Sequence, residues 1–370
     1  MTKGIAFPAV ERSYLKAREL CSRIGETPEL APILFGLWRY YNTRSRLKTA
    51  RELGETLLHL AEHDPSLSVV AHEALGCTAF WSGVFVKARQ HFEEGIQRYS
   101  LSLQRAPVFQ IGEDPGVGCH MYASSALWFL GYPDQAAARM HDGLRMASKL
   151  SHPYTLSFAA VVAALCSQMR REVAATLEQA EAAVALAIEH GFPHWAAMGS
   201  ILCGWALAMR DRSEAGMAKL SQGVAAWRAT DAAVNAPYAL AIQAEAANLV
   251  GNVDEGFRLL DKAQAVLEQQ EDRWFAAEIY RLRGELLFQR SIALETEAET
   301  WLRRALEVAR SQQAKSLELR AATSLAHLWR ARGKHSEARH LLSRIYGWFT
   351  EGFDTIDLKY TKALIAELRA

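Results

Sequence analysis

Apolar and small residues recur along this chain on a beat of about forty positions. The recurring pattern is a small residue, a larger apolar residue four later, and a small or apolar residue seven later. It reads Ala88/Phe92/Gly95, Ala136/Met140/Gly143, Gly216/Leu220/Gly223, Gly256/Leu260/Ala263, Ala298/Leu302/Ala305 and Ala338/Leu342/Ile345. Weaker copies are Ala50/Gly54/Leu57 and Thr176/Ala180/Ala183. Offsets of four and seven fall on one stripe of a helix, where small side chains let a neighbour approach and the large one fills the gap. Five residues before four of these starts stand Gly83, Gly131, Gly251 and Gly333, each suited to end a preceding helix in the left-handed conformation. Pro65, Pro115, Pro153, Pro193 and Pro237 fall where the other helix of each unit begins, a position that needs no N–H.

Each unit is thus helix A, tight turn, helix B. In "HEALGCTAFWSGVFVKARQHF", Leu75, Gly76, Ala88 and Phe92 stand at the offsets of the tetratricopeptide pattern, here in a variant with long helices. A single hairpin cannot bury its apolar face and must stack on its neighbours. The expectation is an all-α chain: a right-handed α-solenoid of about eight tetratricopeptide-like hairpins with helices A on the inner surface.

Two irregularities shape the organisation. The interval between the starts at 88 and 136 is longer than the rest, and the extra residues form "SLSLQRAPVFQIGEDPG", a loop that reads first as a tolerated insertion and otherwise as part of a functional face. At the other extreme, Ala17/Cys21/Ile24 repeats the helix B stripe with too little chain before it for a full helix A. Residues 1–25 are therefore expected to be the helix of an incomplete repeat, 26–349 the array, and 350–370 a capping helix. An array that begins in mid-repeat is expected of a fragment, a truncated reading frame or a domain cut from a larger protein. In the last segment, Asp354 or Thr355 is placed to cap a helix whose apolar side would be Ile356, Leu358, Ala363, Leu364, Ala366 and Leu368.

Charge narrows the partners. Lys and Arg total 42 against 41 acidic residues, so no global field collects nucleic acid or an anionic membrane. The expected partner is a protein or peptide, not nucleic acid and not a membrane. Five scattered cysteines without a C-x-x-C read as buried thiols of a reduced, cytoplasmic protein, and no apolar run reaches the length of a membrane span.

Candidate chemistry is sparse. "HLAEH" places His59, Glu62 and His63 in the H-x-x-E-H spelling of a zinc helix, but "DP" follows at once and a site would need a further ligand and an open cleft. A polar helix end explains it better, with His72 the one nearby residue able to approach. "GEDPGVG" is glycine-rich but lacks the Lys-Ser/Thr of a phosphate loop, and reads as a turn into a helix. Cys119 and His120 are adjacent on a helix and diverge, which argues against a nucleophilic dyad. No catalytic residue, metal ligand or cofactor is assigned. Most of the ten tryptophans should fill space between helices. The register set by Gly83 and Gly131 puts Trp81, Met121, Ser125, Trp128 and Phe129 at or near groove-facing offsets. With Asp114 from the interrupting loop, they are the candidate residues for binding a partner.

Four stretches carry a resemblance. They are "IGEDPGVGCHMYASSALWFLGYPDQA", "HGFPHWAAMGSILCGWALA", "QQAKSLELRAATSLAHLWRARGKHSEARHLL" and "YGWFTEGFDTIDLKYTKALIAEL". From about Tyr14 onward the chain resembles the C-terminal tetratricopeptide-like region of bacterial multidomain proteins. Those proteins carry a class III adenylate/guanylate cyclase domain and a predicted NTPase module ahead of the array. The resemblance implies a regulatory or sensory arm that acts on cyclase or NTPase domains of a parent protein, with a free-standing peptide-binding adaptor as the alternative and a zinc hydrolase a distant third.

Overall fold

The computed structural model describes residues 5–24, 29–99 and 112–369. Eighteen α-helices and no strand occur among the described residues. After α1 (Pro8–Ile24), eight A/B hairpins follow in order. They are α2 (Leu30–Thr43) with α3 (Leu47–Leu60), α4 (Ser68–Trp81) with α5 (Phe85–Arg98), α6 (Pro115–Phe129) with α7 (Pro133–Leu150), and α8 (Pro153–Met169) with α9 (Val173–Glu189). Then come α10 (Pro193–Asp211) with α11 (Glu214–Arg228), α12 (Ala236–Leu249) with α13 (Val253–Gln269), α14 (Ala276–Arg290) with α15 (Glu295–Ser311), and α16 (Lys315–Ala331) with α17 (His335–Tyr346). Helix α18 (Ile356–Glu367) packs on the last hairpin. The architecture is the expected tetratricopeptide-like right-handed α-solenoid.

Packing within a unit follows the stripe. Phe92 is fully buried, and a Cβ added to Gly76 would meet its ring at 2.5 Å, so the missing side chain on α4 is what admits the aromatic of α5. Ala88, Leu220, Leu260, Ala298, Leu302 and Leu342 are likewise buried, while Met140 is half-buried. The turns from A to B use Gly83, Gly131, Gly251 and Gly333 at φ of 76°, 90°, 85° and 70°. Ser45, Arg171 and Arg212 adopt the same left-handed conformation in three others, without the freedom of glycine.

Helices A and B differ in how much they bury. Thirteen of the fourteen residues of α4 are buried against four of the fourteen in α5, so α4 has neighbours on every side and α5 only on one. The extra neighbours of α4 are α2 and α3 of the preceding hairpin and, at its C-terminal end, the chain one superhelical turn later. A helix C-terminus leaves its last carbonyls without intrahelical partners, and here the second turn supplies them. Thr43 accepts from the N–H groups of Ala233 (2.9 Å) and Val234 (3.0 Å), and Trp81 from those of Arg273 (2.8 Å) and Trp274 (3.2 Å). Trp128 accepts from the Ser316 hydroxyl at 2.5 Å, and Met169 from the Arg320 guanidinium. Four successive inner helices, α2, α4, α6 and α8, therefore end on the second turn. Gly83 and Gly131 lie at this seam: a Cβ would meet Gln312 at the first and Trp348 at the second.

Charged groups are buried at the same seam. Glu278 of α14 lies 2.7 Å from Arg281 and 3.5 Å from Arg171 in the α8–α9 turn, and Arg171 also meets Glu245 of α12. Burial acts to raise the Glu278 pKa, but Arg281, Arg320 and Arg171 outweigh it and hold the group down at about 2.

The C-terminal helix departs from its expected face. Leu358, Thr361, Leu364, Ile365 and Leu368 are buried, whereas Ala363 and Ala366 face solvent and Ile356 is 49% exposed. Contact with α16 and α17 selects the stripe that runs through Thr361. Neither expected cap forms as drawn: Thr355 occupies the N-cap position, but its hydroxyl turns back to the Gly352 carbonyl.

Candidate functional site: a polar chamber on the superhelix axis

Where the inner helices of the first turn meet the second turn, they enclose a cavity of about 80 Å³. Its wall includes Arg39 and Asn42 of α2, Trp81 of α4, Tyr154 of α8, His194 of α10, and Asn235 from the loop before α12. By the measure in which one water needs roughly 10–15 Å³, this space holds on the order of five waters, or the end of one peptide residue.

One ion pair anchors the wall. Arg39 Nη1 lies 2.5 Å from Glu113 Oε2, and both side chains are only 7% exposed. Arg39 Nη2 donates to the Tyr154 hydroxyl at 2.9 Å. Burial alone would lower the guanidinium pKa, but Glu113, Tyr154 and Glu73 outweigh it, so Arg39 keeps its charge. Glu73, buried at 0% exposure on α4, interacts with the same group; burial first and Glu113 second push its pKa well up, against the pull of Arg39. The glycines of "GEDPGVG" make room for these side chains. A Cβ on Gly112 would strike Arg39, and one on Gly118 would strike Glu73. The segment is thus the turn into α6 that its sequence indicates, with Asp114 as N-cap accepting from Val117 N–H at 3.0 Å and Pro115 in the first turn.

Much of the rest of the wall is apolar, from Ile5, Val161, Val162, Leu165 and Met198, with neutral hydrogen-bonding groups set among them. Asn42, Trp81 and Asn235 line the cavity, are at least nine-tenths buried, and each carries a buried atom (Oδ1, Nε1 and Oδ1) with no hydrogen-bond partner among the described residues. The Asn235 backbone is held by Asp272, whose Oδ2 accepts its N–H at 2.8 Å. His194 has its pKa pulled down to about 4, by burial first and by Arg39 second, and is neutral. The thiol of Cys77 is pushed well up by burial and by Glu73, so it is protonated at neutral pH and a poor nucleophile. Among the described residues this leaves one unpaired donor, Trp81 Nε1, and two unpaired acceptors, Asn42 Oδ1 and Asn235 Oδ1, on cavity-lining residues.

The six residues singled out in the sequence all lie in the interior. Trp81 reaches the chamber. Asp114 sits behind it: besides capping α6, it accepts from the Tyr99 hydroxyl at 3.1 Å, and its N–H donates to Thr155. Met121 and Phe129 are packed at 0% and 1% exposure. Ser125 touches Cys166 Sγ at 3.6 Å, and Trp128 lies under the Arg320 guanidinium at 4.9 Å. The second turn covers the end of this face, at Trp128 and Phe129, while Met121 packs at Gly143 of its own hairpin and Ser125 against α8. Residues 100–111 of the interrupting loop lie outside the described residues.

Sequence reasoning missed Arg39, Asn42, Glu73, Glu113 and Asn235. A signal existed for two of them: Glu73 is the sole acid in "SVVAHEALGCTAFW", and Arg39 the sole charge in "LFGLWRYY". A lone charge on a helix that is apolar all round must be paired or neutralised inside.

HLAEH is on the outside. His59 lies in the last turn of α3, and His59 Nδ1 lies 3.2 Å from Glu62 Oε2, with both side chains about two-thirds exposed. The ligand atoms of His59, Glu62 and His63 lie within 4.8 Å of one another. His72 does not join them; it faces His91 at 3.1 Å between Nδ1 atoms. Cys119 abuts Gly95 while His120 abuts Gly143, so the two side chains diverge. All five cysteines are buried free thiols, and no described helix is long and apolar enough to cross a membrane.

No protein-family profile and no curated protein sequence matches the chain. Among solved structures it is similar to a Rap protein complexed with competence and sporulation factor. That likeness has 12% identity and a TM-score of 0.63, covering 97% of this chain and 93% of that one. It is also similar to the Rap conjugation gene regulator of plasmid pLS20 in complex with the Phr* peptide, at 12% identity and TM-score 0.58, covering 93% and 97%. At this identity the likeness is one of fold.

Proposed function

We propose that the chain is a non-catalytic interaction and sensory module that takes a polar peptide group into the axial chamber. There the group braces the two superhelical turns against each other. Asn42 and Trp81 come from the first turn and Asn235 from the second, so one ligand that satisfies all three bridges the seam. The observation that carries this reading is that these three residues line one cavity, each with a buried polar atom that has no partner among the described residues. Such atoms cost roughly 1–3 kcal/mol each when left unpaired. A peptide amide or chain end has the donors and acceptors they require, and two solenoids of similar fold have been solved with a signalling factor or peptide. In the finer form of the proposal, the module is the regulatory arm of a cyclase/NTPase-type signalling protein, and its partner is a class III cyclase or NTPase domain.

Thermal-shift screening of short peptides, repeated on Asn42→Ala/Asn235→Ala, tests the chamber. The expected result is a stabilising peptide whose effect is lost in the double variant; a peptide that stabilises both forms equally defeats it. Calorimetry with purified cyclase and NTPase domains tests the finer form. Peptide binding without domain binding leaves a free-standing adaptor.

A further inference from the structure

A second recess opens on the outside of the seam, away from the chamber. It is a groove of about 630 Å³ between the start of α5 and the α6–α7 turn on one side, and the α15–α16 turn and the end of α17 on the other. Its apolar walls include Val86 and Trp348, 36% and 37% exposed, both large apolar side chains left open to solvent. Around them stand four cations, Arg89, Arg310, Lys315 and Arg344, and a single acid, Glu318.

That acid is already divided. Arg310 and Lys315 both pair with Glu318, at 2.8 Å and 2.6 Å, and Lys315 Nζ also lies 5.3 Å over the Trp348 ring. Arg344 stands exposed at the rim. Arg89 pairs with Glu93 at 2.7 Å, so four cations against Glu318 and Glu93 leave a surplus of two, and that surplus is local, because the whole chain carries a formal net charge of only +1. Aromatic and aliphatic walls beneath a ring of cations fit one kind of partner: a chain whose carboxylates meet the rim while an apolar side chain fills the floor.

We propose that this groove docks an acidic peptide segment of a partner protein, with a phenylalanine- or leucine-type anchor against Val86 and Trp348. The site does not depend on the chamber. Its two walls come from different superhelical turns, so the docked segment spans the seam from outside.

Fluorescence anisotropy on the full chain tests it. The probe is a short fluorescein-labelled peptide of glutamates around one phenylalanine. Saturable binding is expected, weakening as salt rises. Arg344→Glu should weaken it about tenfold or more, since it sets like charges against each other in the groove. Trp348→Ala should weaken it as well, and Arg228→Glu, in a separate cleft, should leave it within about twofold. If circular dichroism shows Arg344→Glu unfolded, Arg344→Gln serves in its place, with a loss of about threefold expected. The proposal is overturned by absence of saturation, by equal affinity for the glutamine version of the probe, or by a folded Arg344 variant that binds as wild type. Equal affinity for a single-stranded oligonucleotide would make the groove a general anion site and also overturns it.

Discussion

The Ser316 hydroxyl donates to the Trp128 carbonyl oxygen at 2.5 Å across 188 positions of sequence. The Gly131 N–H also donates to that oxygen, at 3.0 Å, within the same turn. This bond ties α16 to the end of α6. Ser316→Ala should lower stability by about 1 kcal/mol, read as a reduced urea midpoint at unchanged slope. A fall in the slope would mean that the seam opens before the rest of the protein unfolds.

Phe92 gives the corresponding test within one hairpin. Its ring is fully buried, fits the space over Gly76 and stacks on Tyr122 at 5.9 Å between centroids. Phe92→Ala should cost about 3–5 kcal/mol in chemical denaturation. A neutral substitution would show that α4 and α5 pack in another register.

Arg39 is tested through its partners. Arg39→Met leaves the Glu113 carboxylate buried without its cation and should destabilise by about 3–5 kcal/mol. Adding Glu113→Gln removes the stranded charge, so the double variant should be more stable than the sum of the two single losses. A double-mutant cycle measures that coupling; a value near zero would place Glu113 in water.

Asp272 makes a pH prediction. Burial raises its pKa from 3.8 to about 7, against the pull of the Asn235 N–H and Arg273. A carboxyl with a higher pKa folded than unfolded keeps its proton longer in the folded chain. Between about pH 4 and 7 the folded state therefore binds more protons, and this group's contribution falls as pH rises. Asp272→Asn cannot ionise. Its stability relative to wild type should climb through that window and level off above it, as followed by denaturation at a series of pH values. A difference that stays flat with pH would mean that Asp272 is ionised throughout.

The hairpins were legible because their determinants are local. Gly83, the proline that opens α6 and the Ala88/Phe92/Gly95 stripe each act within a few residues, and each shows in the sequence as spacing. The chamber was not legible, for a physical reason. Asn235 meets Asn42 and Trp81 only because the superhelix has a pitch that stacks its turns, and pitch is the sum of many small rotations between hairpins. The same sum decides that Trp128 and Phe129 are covered. Arg39 and Glu73 were the readable part of the site, as lone charges in apolar helices, but nothing in their spacing indicated Glu113 as the partner.

The seam between turns also changes how this array should come apart. Repeat proteins whose units touch only sequence neighbours behave as one-dimensional chains, able to fray from either end. Here the carbonyls of Thr43, Trp81, Trp128 and Met169 depend on residues far downstream. Removing the last two hairpins would strip partners from α6 and α8, near the opposite terminus. Such an architecture melts as one cooperative body and does not shorten gracefully: its repeats are serial in sequence but mutually dependent in space.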